Sequence, residues 1–190
     1  MSTVVRLKDF RTHARSVPTL VLIDMHDYSG AAPVLNDAVA NCRVALKHAR
    51  ACGMRVAFTR QVAPAPNMLA SSNYPRWIEG FEPNRWDMVF DRYRPSCYAS
   101  AEFREMADEI GGNYAFAGQF GELSCLSTAI DAFHRDHRPN VLLDGVAVRA
   151  YDDPAGAMLT ATARILSLYA EPVTIRSWIV ATSRRAGARK

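Results

Sequence analysis

Three residues in this sequence carry the side chains for nucleophilic or acid–base chemistry and stand where short apolar runs end: Asp24, Arg92 and Cys125. Asp24 closes TLVLID, and a desolvated carboxylate beside a sulfur takes a thiol proton and later hands it to a departing amine. Arg92 closes WDMVFDR; a guanidinium there holds a carboxylate and a thiolate in register but, being always charged, relays no proton. Cys125 follows YAFAGQF through a turn containing Gly118 and Gly121, and it opens a run of helical period. At that position unpaired amides and the helix dipole favour the thiolate. Each residue also has a plainer reading: an Asp that caps its turn, an Arg paired at the surface, a cysteine packed in the core.

These side chains act together only if the chain brings several strand ends to one edge, and the apolar pattern predicts that. Six β-rich runs end at Asp24, Gln61, Arg92, Phe120, Val148 and Trp178, and they alternate with segments of helical period. Helices are predicted over Val34 to Ala51, Ala99 to Ile110, Leu126 to His137 and Ala155 to Tyr169, with Gly53, Gly111, Gly112 and Pro139 as stops and Pro154 as a start. The pattern is that of the α/β class: a three-layer, Rossmann-like fold whose six-stranded, mainly parallel sheet is flanked by helices. Ligands in such sheets bind beyond the carboxyl ends of the strands. From Val62 to Arg85 the chain is irregular and rich in Pro and Asn, as a lid, a binding loop or a partner-facing surface would be, and Trp77, Phe81 and Trp86 lie in or beside it.

The 190 residues suit one domain, 1–190, with a basic tail at 181–190 that its composition allows to be flexible. Apolar residues are 49% and charged residues 22%, which argues against disorder. The net charge of +4 owes much to Arg184, Arg185, Arg189 and Lys190, and no basic face interleaved with aromatics speaks for nucleic acid. No apolar run reaches the length of a membrane span, and a secretory leader is not recognisable, so the expected location is cytoplasmic. Cys42, Cys52, Cys97 and Cys125 form neither a CxxC pair nor a zinc-finger spacing.

With those residues in view, the chain resembles the isochorismatase-like hydrolases, a cysteine hydrolase family that includes isochorismatases, nicotinamidases and N-carbamoylsarcosine amidohydrolases. VLIDMHDY is similar to the family's strand ending in the catalytic aspartate, which matches Asp24, and AGQFGELSCLSTAIDAFHRD is similar to its nucleophile turn and helix, with Cys125 on the catalytic cysteine. MVFDRYRPSCYASAEF corresponds to the segment of the catalytic lysine; aligning Ser96 with the family serine puts Arg92 there, and a one-step gap would put Arg94 there. VAFTRQ places Gln61 in the substrate pocket, His26 stands where the family often has glutamine, and Ser124 replaces a glycine common before the cysteine.

The resemblance implies a catalytic set of Asp24, Arg92 and Cys125, an oxyanion hole from the amides of Gly121 and Cys125, and a non-proline cis peptide joining Phe120 to Gly121. Substrate would meet His26, Tyr28, Gln61, Trp86 and Phe120, and Tyr151 and Asp152 lie beyond the fifth strand, Asp152 more in keeping with a helix cap. No His-rich run follows Asp24, so neither a catalytic metal nor another cofactor is expected. The implied activity is hydrolysis of a small amide or related C–N substrate through a Cys125 thioester. The alternatives are vinyl-ether cleavage of an isochorismate-like acid with Asp24 as the acid, and a non-catalytic ligand-binding member, because the lysine is replaced. The expected partners are a free small molecule and further copies of the chain, as a homodimer or higher oligomer, without nucleic acid or membrane.

Overall fold

The run before Asp24 forms β1 (Thr19–Ile23), buried along its whole length in the computed structural model, which describes residues 18–27, 37–62, 76–149 and 156–187. Tyr28, Tyr151 and Asp152 lie outside the described residues, as does part of the irregular segment. Around β1 the sheet adds β2 (Val56–Gln61), β3 (Met88–Arg92), β4 (Tyr114–Gly118), β5 (Asn140–Val146) and β6 (Glu171–Val173). The strand order is β3-β2-β1-β4-β5-β6, and every pairing is parallel.

Alternate residues of β1 feed two cores. Val21 and Ile23 pack with Phe103, Met106, Ala129, Ala132 and Leu166 on the side of α2 (Ala101–Glu109), α3 (Leu126–Phe133) and α4 (Ala157–Tyr169). Leu20 and Leu22 pack with Ala45, Leu46, Ala49, Ile175 and Trp178 on the side of α1 (Ala38–Ala51) and α5 (Ile175–Gly187). A strand covered on both faces has no reason to alternate apolar with polar, which is why β1 reads as a continuous apolar run.

The sixth run departs from the expectation. Its strand stops at Val173, and Trp178 lies on α5, whose 13 residues carry the chain to Gly187 through most of the basic tail. The reason is local capping. Asp144 Oδ1 accepts the Ile175 amide at 2.8 Å, and Thr174 Oγ1 accepts the Ser177 amide at 3.2 Å, so unpaired donors of a first helical turn are satisfied as soon as Pro172 and Val173 are passed.

The irregular segment returns to the sheet edge at Arg76. There His26 and Trp77 form an antiparallel bridge, flanked by Asp27 N to Arg76 O at 2.7 Å and Ile78 N to Met25 O at 3.1 Å. That pairing lays residues 76–78 alongside the chain leaving β1.

Candidate active site

From β1 the chain crosses to β2 on one side, whereas β4 lies on the other, so the two central strands mark the switch point of the sheet. Asp24 leaves β1 at this point with φ 54°, a left-handed conformation that costs a non-glycine residue about 1–3 kcal/mol. Gly118 ends β4 beside it with φ 145°, and a Cβ there would collide with the Ile23 backbone, so only glycine lets the two strands close at the site.

Arg92, at the end of β3, reaches across with a fully buried side chain. Its Nη2 donates to Asp24 Oδ2 and, at 3.2 Å, to Ser124 Oγ; its Nη1 donates to Gln61 Oε1 at 3.1 Å and to the Arg94 carbonyl at 2.6 Å. The Arg94 side chain is exposed, so Arg92 is the guanidinium that meets the acid. Ser124 Oγ donates to the same Oδ2 at 2.8 Å. Asp24 Oδ1 is buried and has no hydrogen-bond partner among the described residues. Burial raises the Asp24 pKa above its ordinary 3.8, outweighing the opposing pull of the Arg92 charge and the Ser124 hydroxyl.

Cys125 is not hydrogen-bonded to this group among the described residues. Its thiol is fully buried and points to the Gln119 carbonyl at 3.8 Å, and burial pushes its pKa well above the ordinary thiol range. Ser124 and Cys125 both lie in a π-helical turn, Gly121–Cys125, where successive side chains diverge by roughly 90–100°, and it is the Ser124 side chain that hydrogen-bonds Asp24. The sequence signal for it was a hydroxyl one step before the cysteine, in a segment already picked out for its glycines.

The oxyanion hole also differs from the expectation. The Gly121 amide donates to the Ala147 carbonyl at 2.8 Å, and the Cys125 amide points to the Phe120 carbonyl at 3.3 Å, joined by Leu123 N at 3.0 Å and Ser124 N at 2.7 Å. No peptide bond among the described residues is cis. Phe120 turns the chain instead by adopting φ 54°, which aims its carbonyl into the following turn and engages those amides.

The expected substrate contacts divide. Gln61 binds Arg92, as above. His26 is buried, with its ring stacked on Trp77 at 3.9 Å between centroids, and burial, with the Arg60 and Arg92 charges, pushes its pKa down to about 4. It is therefore neutral near pH 7. Phe120 is buried under the Arg149 guanidinium, 4.9 Å from its ring centroid. Trp86 is 77% exposed and stacks with Arg85, so the indole brought against His26 is that of Trp77. Among the described residues no three His, Cys, Asp or Glu side chains group as a metal site, and no helix is long and apolar enough to cross a membrane.

Comparison with known proteins agrees with this architecture. Residues 18–174 match the isochorismatase domain model. Enterobactin synthase component B of Escherichia coli is 23% identical over 153 residues, covering 70% of this chain and 54% of that protein, so the chain spans about half the length of this relative. An isochorismatase-like hydrolase from Alkaliphilus metalliredigens superposes with TM-score 0.74 at 17% identity, covering 90% of this chain and 99% of the other. A cysteine hydrolase from Pseudomonas syringae pv. phaseolicola does so with TM-score 0.74 at 19% identity, covering 88% and 93%. Because the domain match runs from just before β1 to just past β6, taking in the whole sheet, the chain belongs to the isochorismatase family of hydrolases.

Proposed function

We propose that this protein hydrolyses a small vinyl-ether acid, with Asp24 as the proton donor. The observation that carries the reading is the division of labour at Asp24: Arg92 and Ser124 hold Oδ2, no hydrogen bond to Oδ1 is made among the described residues, and the thiol of Cys125 points to the Gln119 carbonyl. A carboxyl whose pKa is raised by burial is suited to acid catalysis. Oδ1–H would protonate the methylene carbon of the enol ether, leaving an oxocarbenium ion on the neighbouring carbon. Water adds there and returns one proton to Asp24, and the hemiketal collapses to a keto acid and an alcohol. This path needs neither a nucleophile from the protein nor an oxyanion hole. The thioester route to C–N cleavage needs both, and the geometry supplies support for neither at Cys125.

A second reading rests on Ser124. Its hydroxyl already donates to Asp24, so it could attack an acyl carbon and pass its proton to Oδ2. The engagement of the turn's amides counts against it, since the tetrahedral oxyanion would lack donors worth about 3–4 kcal/mol.

The test is release of a keto acid from isochorismate and related enolpyruvyl ethers, followed by coupled reduction. We expect Asp24→Asn to lose at least ~100-fold in kcat and Cys125→Ala to retain activity. An amide substrate whose turnover vanishes in Cys125→Ala would reverse the assignment. A covalent acyl adduct on Ser124, seen by mass spectrometry, would favour the second reading. No turnover across both substrate panels would leave the ligand-binding alternative.

A further inference from the structure

Two buried polar residues behind the site, Gln119 and Arg149, have no part in the chemistry above. Gln119 follows Gly118 and is 2% exposed; Arg149 lies beyond β5 and is 6% exposed. The amide of Gln119 uses both ends. Its Nε2 donates to the Asp24 carbonyl at 2.8 Å and to the His26 carbonyl at 2.7 Å, while its Oε1 accepts from Arg149 Nη2. A guanidinium only donates and a carbonyl only accepts, so one orientation of the amide makes all three bonds and the flipped one makes none.

We infer that Gln119 and Arg149 are positioning residues for Asp24: Arg149 fixes the Gln119 amide so that its two N–H groups clamp the backbone on either side of Met25. Asp24 needs such a clamp, because its left-handed φ of 54° persists only where the surroundings over-determine it. The clamp is continuous with the sheet, since the backbone N–H of Gln119 donates to the Ile23 carbonyl at 2.9 Å. The Arg149 guanidinium is in turn stacked over the Phe120 ring, the residue that turns the chain toward Ser124. One unit therefore sets both the backbone that aims the acid and the turn that delivers the hydroxyl to it.

The inference rests on the reading of Asp24 as the proton donor, and the experiment separates the two. The full chain is labelled with carboxyl-13C aspartate, and the Asp24 signal is identified by its loss in Asp24→Asn. The groups acting on this carboxyl are Arg92 from β3, the backbone amide of Gln61 from β2, Ser124 and Cys125 from the turn after β4 and Cys97 from the segment before α2, and all are retained in the variants. In the wild type we expect the signal to titrate above the ordinary carboxyl value, because the group is buried. In Gln119→Met and Arg149→Met we expect the midpoint to move down toward that ordinary value as the carboxyl gains water, and Arg149→Lys, which restores a donor to Oε1, to recover it. With an enolpyruvyl ether as substrate, kcat should fall about tenfold to a hundredfold in the two Met variants with KM little changed. If the titration moves and no enol ether is turned over, the clamp stands and the reaction assignment falls. An Asp24 titration unchanged in both folded Met variants overturns the clamp. So does an upward shift in Arg149→Met, which would mean that Arg149 acts through its charge alone. Should Gln119→Met not fold, Gln119→Glu carries the same test, since it keeps the shape and the Arg149 contact but sets oxygens against the Asp24 and His26 carbonyls; an unaltered midpoint there also overturns the proposal.

Discussion

Replacing Arg92 with methionine should cost the fold about 3–5 kcal/mol at neutral pH, the usual penalty for removing one partner of a buried ion pair. The structure explains why the loss falls at the high end. The Arg92 side chain is 0% exposed and that of Asp24 1%, and the guanidinium donates to four acceptors: Asp24, Ser124, Gln61 and the Arg94 carbonyl. Methionine fills much of the space and satisfies none of them. Asp24 escapes by holding a proton, because burial already raises its pKa above 3.8 and Arg92 is the chief influence opposing that rise. A carboxyl with a raised folded pKa binds its proton more tightly in the folded state than in the unfolded chain. Below the wild-type folded pKa both proteins hold Asp24 protonated, so the deficit of Arg92→Met should be small and constant there; it should grow as pH rises from that pKa to the higher folded pKa of the variant, and level off above it. Urea denaturation of wild type, Arg92→Met, Asp24→Asn and the double variant at two pH values closes a cycle, in which we expect a coupling of about 1–3 kcal/mol. Arg92→Lys should fall between, since an ammonium keeps the charge but not the planar fork. Single losses under about 1 kcal/mol with simple additivity would mean that the two groups are solvated and do not form the pair, and the account of the site would collapse with it.

Activity should be governed by a protonated Asp24, so the rate should be flat at low pH and fall as pH rises through the Asp24 pKa, above 3.8; a pH–rate profile that climbs through that range instead would make Asp24 a base. Ser124→Ala should lower kcat roughly 10-fold or more, the worth of one hydrogen bond to a charged group, as read from initial rates against wild type. Among the four cysteines Cys52 is the one that is partly exposed, so iodoacetamide at neutral pH should label it first, with Cys42, Cys97 and Cys125 protected until urea unfolds the chain; rapid labelling of Cys125 in mass-mapped peptides would restore it as a nucleophile. Gly118→Ala should cost about 3 kcal/mol or more, because strain at a positive φ adds to a clash with the Ile23 backbone, and a melting temperature within a few degrees of wild type would contradict the close approach of β1 and β4.

Much of the fold was legible because burial on two faces writes itself as continuous apolar runs. Leu20 to Ile23 and Tyr114 to Gly118 are such runs, and the acid and the turn that follow them form the candidate site. The α5 helix was missed because PVTIRSWIV has the β-branched content of a strand, and the switch to helix depends on Asp144, 31 residues upstream, accepting the Ile175 amide. Local propensity carries no record of a cap supplied by a distant residue.

The sequence by itself determined the order of elements as far as β6, the family, and the presence of Asp24 and Arg92 at strand ends, since each follows from a residue's type and its place in a short local pattern. The tertiary structure alone decided which side chains meet. Ser124 and Cys125 are neighbours in the chain, yet only Ser124 hydrogen-bonds Asp24, and the choice depends on a left-handed Phe120 and a π-helical turn. Arg92 was separated from Arg94 by where β3 ends, and Gln119 and Arg149 meet beside Asp24 only because β4 lies between β1 and β5. Side-chain direction turns on single dihedral angles and on the register of packed strands, and these are set by the whole core at once.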